Sequence, residues 1–83
     1  MPGPYRIQAW DEMRCSYADV SIRYDRWGPA DWAVAGDKPA TEFTDWEDAI
    51  QDMMDLPVRA IYCCIDIATR RRFFDDNGAP DGA

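Results

Sequence analysis

Thr44-Asp-Trp-Glu-Asp-Ala-Ile-Gln-Asp-Met-Met-Asp-Leu-Pro57 is the stretch on which the fold turns. Trp46, Ala49, Ile50, Met53 and Met54 fall at i, i+3, i+4, i+7 and i+8, the spacing that lines one side of an α-helix with apolar side chains. Thr44 and Glu47 read as a Thr-x-x-Glu capping box, and Asp45 and Glu47 suit the positive end of the helix dipole. Leu56-Pro57 stops the helix, because proline disfavours a helical residue before it.

The flanking segments read as strands. Tyr5 to Trp10 alternates, with Tyr5, Ile7 and Ala9 on one face. From Ser16 to Tyr24, Ala18, Val20, Ile22 and Tyr24 oppose Tyr17, Asp19, Ser21 and Arg23. Trp27-Gly28-Pro29 is expected to break that run, a short third strand follows around Trp32 to Ala35, and Gly36-Asp37-Lys38-Pro39 forms a loop. After the helix, Arg59 to Ile67 is apolar on both faces, which places it inside a sheet rather than at its edge. Ala68-Thr69 turns into a last short strand, Arg71 to Phe74. The expected architecture is an α+β domain over residues 1–83, with four or five antiparallel strands in the order β-β-β-α-β(-β) and one helix packed on a face. Residues 75–83 are expected to form a flexible tail.

Charge is distributed unevenly. Asp31 to Asp55 holds eight acids (Asp31, Asp37, Glu42, Asp45, Glu47, Asp48, Asp52, Asp55) against the single base Lys38, and so accounts for the whole net charge of −7. The other eight acids are matched by eight bases. Placed on the helix, Asp45, Asp48, Asp52 and Asp55 oppose the apolar stripe at spacings of 3, 4 and 3. Such neighbours lie about 5–6 Å apart and repel. Aspartate is a poor helix former, and Asp52 and Asp55 occupy the end where the dipole prefers cations. Two readings account for a row that works against its own helix: a docking face for a basic surface, with Asp37 and Glu42 extending it, or a face kept soluble by charge.

Motifs for chemistry are missing. With no histidine, Ser-His-Asp and Cys-His machinery is out of reach. The cysteines are Cys15, Cys63 and Cys64; an odd number with two adjacent is a poor disulfide framework and fits a reducing compartment. Neighbours on a strand point to opposite faces, so Cys63 and Cys64 read as small buried hydrophobes rather than zinc ligands. No glycine spacing matches a phosphate loop, and Asp75-Asp76-Asn77-Gly78 lacks the further ligands of a calcium loop. No metal or cofactor is expected, and the function is read as non-enzymatic; carboxylate-only catalysis would need two converging acids that nothing singles out. The N-terminus has no apolar h-region and no run approaches the roughly 20 residues of a membrane span, so a cytoplasmic protein is expected. The acidity argues against direct contact with nucleic acid or an anionic membrane. Arg70-Arg71-Arg72 reads as charge guarding an edge strand, or as a patch that meets the acidic helix of a second copy; monomer and homodimer both stay open. Trp46 is expected in the core, and Trp10, Trp27 and Trp32 are expected to pack there too unless exposed as interface anchors.

A short, acidic, histidine-free α+β chain, rich in Arg and Asp with one lysine, resembles the phage-encoded anti-CRISPR proteins, type I inhibitors in particular. The resemblance spans the chain and rests on its overall character, so it assigns no residue. It implies an inhibitor that blocks the DNA-binding surface of a CRISPR effector complex. The expected docking residues are Asp37, Glu42, Asp45, Glu47, Asp48, Asp52 and Asp55, and the expected partner is a protein with a basic surface. The alternative is an accessory subunit that docks through an apolar surface, its acids only solubilising.

Overall fold

A computed structural model describes residues 3–78. The alternation seen near the N-terminus becomes β1 (Tyr5–Asp11), the middle strand of an antiparallel sheet. β2 (Ser16–Asp25) and β3 (Gly28–Val34) form a hairpin on one side; β5 (Tyr62–Asp66) and β6 (Arg71–Phe73) extend the other, in the order β3-β2-β1-β5-β6. A two-residue strand, β4 (Glu42–Phe43), pairs with Tyr5 and Arg6 of β1. One helix, α1 (Trp46–Asp55), lies on the sheet, so the α+β arrangement expected from sequence holds, with one strand more. A 3-10 turn, Asp76–Gly78, follows β6; the remainder of the expected flexible tail, residues 79–83, lies outside the described residues.

The core sits between α1 and one face of the sheet. Tyr5, Ile7 and Ala9 of β1, Val20 and Ile22 of β2, Cys64 of β5 and Phe73 of β6 meet Ala49, Ile50, Met53 and Leu56. Burying aliphatic side chains of this size contributes about 1.5–3 kcal/mol each, and that packing rather than intrinsic propensity holds a ten-residue helix together. Trp32, Phe43, Trp46, Ala60 and Tyr62 pack around the rim.

Several local expectations are corrected. The helix starts one residue late for the capping box: Asp45 is the N-cap, with extended dihedrals (φ −113°, ψ 135°), and its side chain caps nothing. Thr44 therefore lies one position too early to reach the first turn. Met54 leaves the stripe and is 72% exposed, while Leu56, extended just past the helix, takes its place in the core. At about 100° per residue Met54 stands roughly 100° from the stripe's centre, too far round to reach the sheet.

Trp27-Gly28-Pro29 does not break β2 from a distant third strand. It is the turn of a tight hairpin, in which Gly28 takes φ 114° and the Trp27 N–H donates to Asp25 Oδ1 at 2.8 Å. Trp27 at that tip is 82% exposed, against the expectation of core packing. β5 begins at Tyr62, not Arg59, because the Arg59 N–H donates to Pro57 O (2.9 Å) in a turn and its side chain goes elsewhere.

β1 and β2 separate after the Gln8–Asp19 pair, and Thr41 fills the gap. Its N–H donates to Val20 O (3.1 Å), and its Oγ1 accepts from the Ile22 N–H (2.8 Å). The buried Asp66 closes the opposite end: its Oδ1 accepts from the backbone N–H of both Gly3 and Ala68, each at 3.0 Å.

Candidate docking face on the acidic helix

The outward surface of α1 is set by the packing of its inner one. With Ala49, Ile50 and Met53 buried, Asp48, Gln51 and Asp55 lie roughly 140–160° from the stripe's centre and point away from the sheet. Asp45 and Asp52 lie only about 80–100° from it, on one flank, and Glu47 lies on the other. The four aspartates are therefore two pairs rather than one straight row. Asp52 is half-buried and its Oδ2 accepts a 2.8 Å hydrogen bond from the Tyr24 hydroxyl, tying the long β2–β3 hairpin to the helix. Partial burial, helped by that bond, pushes the Tyr24 phenol well above its usual range. Asp55 Oδ2 accepts from Gln51 Nε2 at 3.2 Å, an exposed bond along the helix. Among the described residues, no Lys or Arg forms an ion pair with Asp45, Glu47, Asp48, Asp52 or Asp55.

The remaining acids of the block go elsewhere. Glu42 stands opposite Arg6 on β4 and shares its alternation, so it projects from the sheet face that the helix does not cover. There its Oε2 accepts from Arg6 Nη2 (2.6 Å) and Nε (3.0 Å), bonds that raise the guanidinium's affinity for its proton. Asp31 is paired with Arg59 at 2.5 Å. Asp37 lies in the exposed loop after β3, beside Lys38 and away from the helix bonds. The fold thus brings Asp45, Glu47, Asp48, Asp52 and Asp55 together and separates Asp37 and Glu42 from them.

The uncovered sheet face carries a network that the sequence reading did not identify. Asp19 accepts from Arg6 Nη1 (2.9 Å) and from Gln8 Nε2 (2.8 Å), and Gln8 Oε1 accepts from Arg72 Nε (2.9 Å). The Arg72 guanidinium also stands 5.4 Å from the centre of the Tyr17 ring, which meets Trp10 edge-on at 5.1 Å and Phe74 at 6.1 Å. Arg72 is accordingly more than a charge on an edge. The signal was present in the polar alternation of Arg6, Gln8 and Asp19, which marks the outward face of β1 and β2. Beneath this layer Cys63 is fully buried, as is Cys64 on the helix side. Burial pushes their thiols up to about 11 and about 12, Arg72 partly opposing the shift at Cys63. Both are held as neutral thiols, unsuited to nucleophilic work.

Among the described residues no group of three or more Cys, Asp or Glu side chains could hold a metal ion, and no helix is long and apolar enough to cross a membrane. No protein-family model, no curated protein and no solved structure matches this chain.

Proposed function

We propose that this chain is a non-enzymatic inhibitory binding protein, active in the cytoplasm without a cofactor. The outward face of α1 docks on the basic, nucleic-acid-binding surface of a protein partner and keeps nucleic acid off it. A CRISPR effector complex blocked in this way is the partner that the resemblance to anti-CRISPR proteins implies. One observation carries the reading. Where the block's acids lie on the sheet they are matched, Glu42 by Arg6 and Asp31 by Arg59, whereas the five on α1 and its N-cap have no cation among the described residues. Unpaired like charges on a helix destabilise it, and a basic partner removes that cost on binding. Duplex DNA presents one negative charge per roughly 1.7 Å, so such a face is a sparse mimic of the ligand it displaces. Asp45, Glu47, Asp48, Asp52 and Asp55 form the face; Asp37 and Glu42, placed elsewhere, lie outside it.

The test is capture of the partner from the native host, followed by affinity measurement with the purified pair. The variant replaces Glu47, Asp48 and Asp55 by Gln, Asn and Asn, and spares the N-cap Asp45 and the Tyr24-bound Asp52. Binding should weaken at least tenfold in the variant, fall with salt as the screening length shrinks from about 8 Å to about 3 Å, and compete with the partner's nucleic acid. Binding unchanged in the variant would sink the proposal. The exposed Trp27 favours the accessory-subunit reading instead, which requires salt-insensitive binding and protection of Trp27 in the complex.

A further inference from the structure

β3 is the outermost strand on its side of the sheet, and which of its backbone groups face outward follows from β2. Opposed residues in an antiparallel pair alternate between exchanging bonds and both turning away. Val20 O and Ile22 N–H bond to Thr41, on the far side of β2 from β3. Their partners in register, Val34 and Trp32, therefore turn their N–H and C=O groups to the free edge.

At Trp32 those groups are already occupied. Its N–H donates to Asp31 Oδ1 (2.8 Å), and its C=O accepts from Arg59 Nη2 (2.8 Å), which also donates to Asp31 Oδ1 at 2.5 Å. Two side chains thus supply the acceptor and the donor that one residue of a neighbouring strand would supply. The Arg59 guanidinium lies over the Trp32 indole, 4.5 Å from its centre. The loop that carries Arg59 is anchored in turn: Trp32 Nε1–H donates to the Tyr62 hydroxyl (2.7 Å), which donates to Pro57 O (2.5 Å).

We propose that the edge of β3 is a strand-pairing surface for a second copy of this chain, held shut by a strap made of Asp31 and Arg59. Charge selects the occupant. A copy placed by a twofold axis through α1 would meet only its own sign, but beside β3 an open groove of about 540 Å³ over the β2–β3 hairpin is lined by Arg23, Asp31, Asp37 and Lys38, with Arg59 next to it. A twofold axis across β3 sets those acids against the other copy's bases, with Ala33 and the half-exposed Val34 between them. The opposite edge, β6, offers only three residues, two of them arginine. Letting go of the strap frees the Trp32 N–H and C=O, and antiparallel β3–β3 pairing satisfies both.

The test is sedimentation over a concentration series reaching the high micromolar range. Wild-type, Arg59→Ala, Asp31→Asn and Arg59→Ala/Val34→Pro chains are compared, each checked for folding by circular dichroism. Each of the two copies must open its own strap, so Arg59→Ala should tighten dimerisation at least tenfold, the effect of about one net hydrogen bond per copy. Asp31→Asn keeps the shape of the side chain and weakens its hold on Arg59 and on the Trp32 N–H without removing either, so it should tighten dimerisation by a smaller factor and decides the matter if Arg59→Ala does not fold. Val34→Pro removes an outward N–H without touching a β2–β3 bond and should return the Arg59→Ala chain to monomer. Folded strap variants no more dimeric than wild type overturn the proposal, as does a dimer that survives Val34→Pro.

Discussion

Replacing Asp55 by Lys should make the protein more stable and, on the proposed function, a weaker binder. Asp55 closes α1, whose last turn contains no basic residue, and Asp52 precedes it by three positions. A cation at a helix C-terminus contributes about 0.3–1 kcal/mol through the dipole. Turning the Asp52–Asp55 repulsion into attraction adds about 0.2–0.5 kcal/mol in each sense. Against this stands the exposed 3.2 Å bond from Gln51 Nε2, worth a few tenths of a kcal/mol. The net gain is about 0.5–1.5 kcal/mol. For a domain of this size 1 kcal/mol moves the melting temperature by about 4–8 °C, so a rise of several degrees is expected. Thermal unfolding by circular dichroism at low ionic strength measures it, and repetition near 1 M salt should shrink the difference, because exposed charges are then screened beyond about 3 Å. A melting temperature that stays put or falls, or a gain indifferent to salt, refutes the reasoning: the acidic face would then carry no electrostatic strain for a partner to relieve. Affinity for the partner should move the other way in the same variant.

Asp66→Ala should destabilise the fold by about 1–3 kcal/mol, since it removes the acceptor shared by the partly exposed N–H groups of Gly3 and Ala68, at about 0.5–1.5 kcal/mol net per hydrogen bond. Urea unfolding reads this as a lower midpoint at unchanged slope. Cys63 and Cys64 predict an alkaline loss of stability. Their folded values, about 11 and about 12, lie above the roughly 8.5 of a free thiol, so the unfolded chain releases these protons first. Stability is complete below about pH 8.5 and declines as pH rises towards the folded values, by up to about 1.4 kcal/mol per unit for each thiol. Urea midpoints between about pH 8 and 10.5 check this. Thiol labelling of the native protein should modify the exposed Cys15 alone.

The inner face of the helix was legible because apolar spacing at 3, 4 and 7 admits only one buried side, and Ala49, Ile50 and Met53 occupy it. Tyr5, Ile7, Ala9, Val20 and Ile22 were legible for the same reason at a period of two. Met54 and Trp27 were not, because apolar character states a preference for burial and says nothing about whether a neighbouring surface extends far enough to provide it. The capping box failed at Thr44 for a related reason: a motif marks a helix start to within a residue, and the chain's entry from β4 placed the first helical residue at Trp46.

By itself the sequence determined the α+β class, the inner face of the one helix and the concentration of negative charge in Asp31 to Asp55, because each follows from local periodicity or composition. Tertiary structure alone decided which of those charges are matched. Arg6 lies 36 residues from Glu42, and Arg59 lies 28 from Asp31. An ion pair depends on distance in space, and no local pattern encodes which strands lie side by side. Only the folded chain neutralises Glu42 and Asp31 and leaves Asp45, Glu47, Asp48, Asp52 and Asp55 as an acidic face without a cation among the described residues.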